Sequence, residues 1–352
     1  MGDGLVSVII PTYNRAGCIA RAIDSVLKQT HADVEVLVID DGSTDTTRAL
    51  VLDTYGKDER VRYVYQENRG VSAARNHGIR LVRGSFAALL DSDDVWMPFK
   101  LELQLACLRA FPDAGMVWTD MTATGPDGQV HSERYLKLFY SGYRWFSSQD
   151  LFDRSLPLAE IAPGLAQGVG DSRAYSGDIY AQMILGNLVH TSTVLLRRER
   201  LEQVGFFDES CRSGEDHEFH LNTCRAGRVA FADVCSIFYQ IGAADQLTQP
   251  KYKVEMARKF LTTMTAALAR DREQIRLPQS MIDRALEGAH RWMAEALITD
   301  GRWREAQPYI LDSLRLNLRQ PRLIGLYAGA LLPAGLRERF RDAVRRMRNS
   351  VS

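Results

Sequence analysis

Phe86-Ala87-Ala88-Leu89-Leu90-Asp91-Ser92-Asp93-Asp94 runs five apolar residues straight into three carboxylates within four positions. A short unbroken apolar run reads as a strand covered on both faces, as in parallel α/β sheets. The carboxylates that end it repel one another and are costly to hold together unless a cation or ligand compensates them. Upstream the construction repeats: Val34–Ile39 is a largely apolar strand ended by Asp40-Asp41-Gly42-Ser43. Further out, Val6–Ile10 and Val61–Tyr65 read as strands, Ile19–Leu27, Ala73–Val82 and Lys100–Phe111 as helices, and Met116–Trp118 as the start of another strand. This alternation predicts an α/β fold on a parallel sheet. Ligands of such sheets bind beyond the carboxyl ends of the strands, where both acidic clusters fall.

The rest of the chain divides by texture. Between 125 and 185 the pattern is irregular, with turn signals at Gly125-Pro126-Asp127-Gly128, Pro163-Gly164 and Gly168–Gly170 and an aromatic-rich stretch at Tyr135–Phe146. Ser192–Leu196 then predicts a strand and His217–Ala226 a helix, and from Tyr252 the pattern is almost wholly helical. Trp292-Met293-Ala294-Glu295-Ala296, Gly301-Arg302-Trp303 and Glu305-Ala306 loosely resemble one helix-turn-helix repeat, and one copy is no array. The expected organisation is a domain over 1–245, with halves 1–120 and 121–245, followed by a helical extension over 246–352.

Charge follows the same division. Residues 251–352 hold 20 Lys and Arg against 11 Asp and Glu, leaving 24 against 33 in residues 1–250 of a chain whose totals are 44 and 44. Two parts of opposite sign are expected to face different partners. The five cysteines are dispersed without a CxxC pair, which fits reduced thiols rather than a disulfide frame or a zinc site. Val6–Ile10 is too short for the core of a signal peptide, and no run approaches the roughly 20 apolar residues of a membrane span. The expected location is therefore cytoplasmic. Leu323–Leu336 is apolar, broken by Pro333, and followed by Arg337, Arg339, Arg341, Arg345, Arg346 and Arg348. It reads either as a packed terminal helix with a solvated basic face or as a peripheral contact with an anionic membrane through 323–352. No nucleic-acid partner is expected.

Three segments carry chemistry. Val8-Ile9-Ile10-Pro11-Thr12-Tyr13-Asn14-Arg15 follows a strand without GxGxxG, so a dinucleotide site is disfavoured. Tyr13 offers a ring face to a base, or the segment is an ordinary strand-to-helix turn. Asp40-Asp41-Gly42-Ser43-Thr44-Asp45 is either a capped turn or an acceptor of hydrogen bonds from a ribose or base. Asp91-Ser92-Asp93-Asp94 is the strongest, because Mg²⁺ and Mn²⁺ favour carboxylate oxygens together with substrate phosphates. No HExxH pair or GxSxG elbow is present.

These segments, in order, resemble family 2 glycosyltransferases of the GT-A fold: Pro11-Thr12-Tyr13-Asn14, Val38-Ile39-Asp40-Asp41-Gly42-Ser43-Thr44-Asp45, Asn68-Arg69-Gly70-Val71-Ser72-Ala73-Ala74-Arg75-Asn76-His77-Gly78, Asp91-Ser92-Asp93-Asp94-Val95-Trp96-Met97-Pro98 and Gly214-Glu215-Asp216-His217-Glu218. The resemblance covers residues 5 to about 240. It implies a Rossmann-like, mixed and mostly parallel sheet flanked by helices, and inverting transfer from a nucleotide-diphosphate sugar, UDP-sugars being favoured, to a glycan or lipid-linked acceptor. By position it implies that Pro11, Tyr13, Asp41, Arg75, Asp91 and Ser92 line the donor site. It further implies that Asp93, the last carboxylate of the DxD pair, ligates Mg²⁺ or Mn²⁺, and that Asp216 is the catalytic base. His190 and Glu215 are placed on the acceptor side, with a satisfied buried histidine as the alternative for His190. The QxxRW motif of the processive synthases is absent, Gln240-Ile241-Gly242-Ala243-Ala244 standing in its region, so a single transfer is expected. The competing readings are a nucleotidyltransferase, which needs a glycine-rich basic loop where Pro11–Arg15 stands, and a non-catalytic nucleotide-sugar binding module, which has no use for a base.

Overall fold

A computed structural model describes residues 4–165, 170–242 and 249–331, and the chain forms two compact units, Met1–Leu247 and Thr248–Ser352. The first is built on one eleven-stranded sheet. Its strands are β1 (Val6–Thr12), β2 (Val34–Asp41), β3 (Val61–Gln66), β4 (Phe86–Leu89), β5 (Val95–Trp96), β6 (Met116–Thr124), β7 (Val130–Ser132), β8 (Arg154–Pro157), β9 (Arg173–Gly177), β10 (Leu195–Arg197) and β11 (Val229–Gln240). The order is β3-β2-β1-β4-β10-β6-β11-β9-β8, with β5 on β11 and β7 on β6.

The half that the sequence predicts, β3-β2-β1-β4, is wholly parallel. β1 and β2 are buried completely and β4 almost so, as their apolar runs require, while the edge strand β3 stays part-exposed. Helices α1 (Ile19–Leu27), α2 (Thr47–Tyr55), α3 (Val71–Leu81) and α4 (Lys100–Ala110) make the crossovers. α1 buries Ile19, Ala22, Ile23 and Val26 at helical spacing. The second half is mixed: β10 runs antiparallel to β4 and β6, β6 is parallel to β11, and β9 is antiparallel to β11.

α3 lies against β1 and β2 at a glycine. A Cβ on Gly78 would stand 2.4 Å from Ile9 Cγ2 and 3.3 Å from Ile39 Cγ1. Gly78→Ala is therefore expected to destabilise the unit by about 1–3 kcal/mol through overpacking, read as a lowered urea midpoint at unchanged m-value. An unchanged midpoint would show that the helix lifts off the sheet freely.

Two expectations change. Ser192–Leu196 is not one strand: Thr191–Thr193 is a 3₁₀ turn, and the strand is Leu195–Arg197. The Thr193 N–H and Oγ1 both donate to the His190 carbonyl, at 2.9 and 2.6 Å, closing a turn that a ladder would forbid. The helix expected at His217 begins earlier and spans Glu215–Arg225, entered from Gly214 at φ 86°. The helix Thr47–Tyr55 and strands β8, β9 and β11 were not expected. In β11, Asp233 and Ser236 interrupt the alternation and the register to β6 shifts twice, between Ala232 and Cys235 and between Cys235 and Ile237.

The second unit is helical, as expected: Lys253–Arg270, Gln279–Thr299, Trp303–Leu316 and Pro321–Leu331. The Trp292–Ala306 signature spans the turn between the middle two, with Gly301 at φ 80°. Ser313 Oγ donates to the Glu287 carbonyl at 3.0 Å across the same pair. Among the described residues no helix is long and apolar enough to cross a membrane.

Candidate active site

The parallel register puts Thr12 of β1 beside Asp40 of β2 and stops β4 at Leu89, so three strands deliver their chemistry to one edge. On the β1–β2 side the loops lace together. Asn14 Oδ1 accepts from the N–H groups of Thr44 (2.8 Å) and Asp45 (3.2 Å), and Ser43 Oγ accepts from the Asn14 N–H at 2.9 Å. Pro11 is buried within β1, whereas Tyr13 leaves its ring 46% exposed at the same edge. Asp40 accepts from the Ser43 N–H (2.7 Å) and the Tyr63 hydroxyl (2.5 Å). Asp41 accepts from Gln66 Nε2 (2.7 Å) and from the N–H groups of Arg69 (2.9 Å) and Gly70 (2.8 Å), which folds the 66–70 loop back over the strand end.

Beyond β4 the charges are organised by the buried Arg75. Its guanidinium is 5% exposed and donates through Nη2 to Asp91 (2.8 Å) and through Nη1 to Glu215 (2.6 Å). Burial works against the Asp91 carboxylate, but Arg75 outweighs it and holds the group below its ordinary range. Glu215 is pushed upward by burial and by Asp216 against the pull of Arg75. Glu215, expected on the acceptor side, is thus half of a buried ion pair with Arg75. Arg75→Met would strand the buried Glu215 and leave the part-exposed Asp91 unpaired, and the expected loss of stability is about 3 kcal/mol, measured by urea unfolding. A loss below about 1 kcal/mol, the range of exposed pairs, would contradict the burial.

Asp94 is 1% exposed; the Gln240 N–H donates to its Oδ1 at 3.3 Å, and its Oδ2 has no hydrogen-bond partner. His190 Nε2 faces that oxygen at 3.5 Å, is buried, and lacks a hydrogen-bond partner too. Tyr140 and His190 share a contact of 3.1 Å at Nδ1, and the Tyr239 ring packs edge-on at 4.8 Å. Burial disfavours the imidazolium, but Asp94, Asp91 and Asp216 prevail and raise His190. Oxygens of Asp91 and Asp94 and a nitrogen of His190 lie within 4.8 Å of one another. Burial, then repulsion from Asp94 and Asp91, pushes Asp93 up to about 7 in spite of Arg15. Two carboxylates and an imidazole, with two buried atoms lacking other partners, suit a divalent cation. Asp216 lies in the first turn of the Glu215–Arg225 helix, where Asn187 Nδ2 donates to its Oδ2 at 3.2 Å.

Arg75, Asp91, His190 and Asp216 thus share one charged neighbourhood, whereas Asp93, the residue expected to ligate the metal, is not one of the three described side chains whose ligand atoms converge. The Asp94–His190 pairing, Tyr140, Asn187 and Tyr239 were not assigned beforehand. They belong to the irregular 125–190 stretch or to β11, and only the long-range fold brings them in.

A sheet whose parallel half ends in acidic loops, extended by a mixed half that contributes a histidine and a helix-start carboxylate, defines a GT-A glycosyltransferase fold. Residues 7–161 match the family model described as Glycosyl transferase family 2. The N-terminal unit is thus similar to family 2 glycosyltransferases over most of its length. An uncharacterized glycosyltransferase of Rickettsia prowazekii is 31% identical over 244 residues, covering 68% of this chain and 65% of that protein. Another, from Rickettsia felis, is 50% identical over 214 residues, 61% of this chain and 29% of its own. The chain thus spans less than two thirds of the length of these relatives. Among solved structures, TarS of S. aureus in complex with UDP-GlcNAc superposes with a TM-score of 0.55 at 17% identity, covering 96% of this chain and 92% of that one, a likeness of fold.

Proposed function

We propose that this chain moves one sugar from a nucleoside-diphosphate sugar to an acceptor hydroxyl with inversion, in the assembly of a surface glycan. The observation that carries the reading is the Asp91–Asp94–His190 cluster beyond the end of β4, with Asp94 and His190 buried and Asp91 part-exposed, and with Asp216 near enough to act on the His190 charge. A UDP-sugar is favoured by the TarS complex with UDP-GlcNAc, and a glycan acceptor by the 39% identity over 137 residues to a chondroitin synthase of Escherichia coli.

Tyr13 and Asp41 border the nucleotide, and Arg75 fixes Asp91 toward the diphosphate. Asp93, with Asp91, Asp94 and His190, would hold Mg²⁺ or Mn²⁺, which when bound neutralises charge developing on the leaving diphosphate. Asp216 accepts the acceptor's proton as its oxygen bonds to the anomeric carbon and the carbon–diphosphate bond breaks on the opposite face, which inverts the centre. The oxocarbenium character of such transition states leaves only modest activation to the base.

A panel of UDP-, GDP- and dTDP-sugars with simple glycoside acceptors tests the reading. Acceptor-dependent release of nucleoside diphosphate and an inverted anomeric coupling in the product's NMR spectrum are expected. Pyrophosphate release from a nucleoside triphosphate and a sugar phosphate would point to nucleotidyl transfer, and tight binding without turnover to a binding module.

A peripheral membrane contact is a further part of the proposal. Leu318, Ile324 and Leu331 are 75%, 48% and 62% exposed near the end of the described chain. The arginines at 337–348 and residues 332–336 lie outside the described residues. Flotation with anionic vesicles is expected to recover the full chain and not a form ending at 322. Equal recovery of both would remove the contact.

A further inference from the structure

Lys100 is fully buried at the start of α4, and it has no carboxylate partner among the described residues. Burying an amine is costly, and burial alone pushes it well below its ordinary range. Nζ lies 4.0 Å from the centroid of the Trp96 ring and donates to Gln104 Oε1 at 2.6 Å. Packing alone would be served better by a methionine.

What the amine fixes is the orientation of one amide. Gln104 Nε2 donates to the carbonyls of Val117 (3.1 Å) and Thr193 (2.7 Å), tying β6 to the end of the 3₁₀ turn. Those two acceptors demand the NH₂ end, so the buried Oε1 must find a donor on the other side, and Lys100 supplies it. Trp96 performs the parallel task one residue earlier: its Nε1 donates to the Ser192 carbonyl at 2.9 Å. The turn held this way presents two groups to the acidic loop. Ser192 Oγ accepts from the Asp91 N–H at 3.0 Å, and His190, whose carbonyl closes the turn, stands at 3.5 Å from Asp94.

We infer that Lys100, Gln104 and Trp96 are positioning residues that hold the His190–Thr193 turn in register with Asp91 and Asp94. None of the three touches the cluster's ligand atoms. They act through the backbone carbonyls of residues 192 and 193, so their effect should be local and should not follow global stability. The inference rests on the cation reading only for its consequence, not for the positioning itself.

The test uses the full chain as Lys100→Met and Gln104→Glu. Lys100→Met keeps the length of the side chain and removes the donor to Oε1. Gln104→Glu keeps the size, gives Lys100 an ionic partner, and removes the donor to Thr193. Hydrogen exchange read by mass spectrometry on peptides covering 187–195 is expected to quicken at least tenfold in both variants. Exchange elsewhere and the Lys100→Met melting midpoint are expected to stay as in the wild type. Mn²⁺ affinity, followed by electron paramagnetic resonance of the free ion, is expected to fall at least tenfold. Wild-type exchange across 187–195 in both variants would overturn the inference. So would faster exchange spread evenly over the unit with a lowered midpoint, since that marks ordinary core packing. Failure of the wild type to bind Mn²⁺ would count against the cation reading, while the exchange data still decide the positioning.

Discussion

Asp216→Asn is expected to lower turnover by about 10²–10⁴-fold, the range for losing a general base, while donor affinity and melting midpoint stay near wild type. The alternative role for Asp216, capping the helix, does not match its place: Gly214 is the N-cap, and Asp216 lies inside the first turn. Asn keeps the size and still accepts from Asn187, so what is lost is the negative charge and with it the capacity to take a proton. Glu215, the neighbouring candidate, is committed to Arg75 in a buried ion pair, and its replacement should act on stability first. Steady-state kinetics alongside calorimetry separates the two. An Asn variant within a fewfold of the wild-type rate would sink the assignment.

Chelation is expected to have the largest effect of all. The acidic loop packs Asp91, Asp93 and Asp94 into four residues with burial raising Asp93 and Asp94, so a cation relieves repulsion that protonation otherwise relieves. Excess EDTA should reduce transfer to background and Mn²⁺ or Mg²⁺ should restore it. Asp93→Ala should abolish transfer in a folded protein, and His190→Gln should weaken Mn²⁺ binding in direct titration. Full activity in EDTA would exclude the metal from the reaction.

What the sequence made legible follows from what each signal depends on. Val6–Thr12, Val34–Asp41 and Phe86–Leu89 are buried along almost their whole length, so their apolar runs are complete in themselves, and the acidic ends of the last two fall where the sequence puts them. The helix Lys100–Ala110 was equally plain as a helix. The role of Lys100 within it was not, because that depends on a glutamine one turn on and a carbonyl 93 positions away. His190 was visible only as a histidine between small polar residues; its pairing with Asp94 is made by a 3₁₀ turn that hydroxyl side chains close, and the same residues looked like a strand. β11 was hidden by Asp233 and Ser236, which break its alternation while it lies deep in the sheet. Arg75 and Asp216 were read by resemblance, and the Arg75–Glu215 pair that joins their neighbourhoods needed the fold.

β5 also fixes the acidic loop that precedes it. This two-residue strand follows the acidic loop directly and pairs with β11, Val95 opposite Phe238 and Trp96 opposite Ile237, while the Met97 N–H donates to the Ser236 carbonyl at 2.8 Å. Residues 91–94 are therefore pinned at both ends, by β4 before and β5 after. Freezing a free backbone costs about 1–2 kcal/mol per residue, so ordering these four on ion binding would consume roughly 4–8 kcal/mol of its affinity. The chain meets that entropy when it folds, and an arriving ion encounters a loop that has no freedom left to lose.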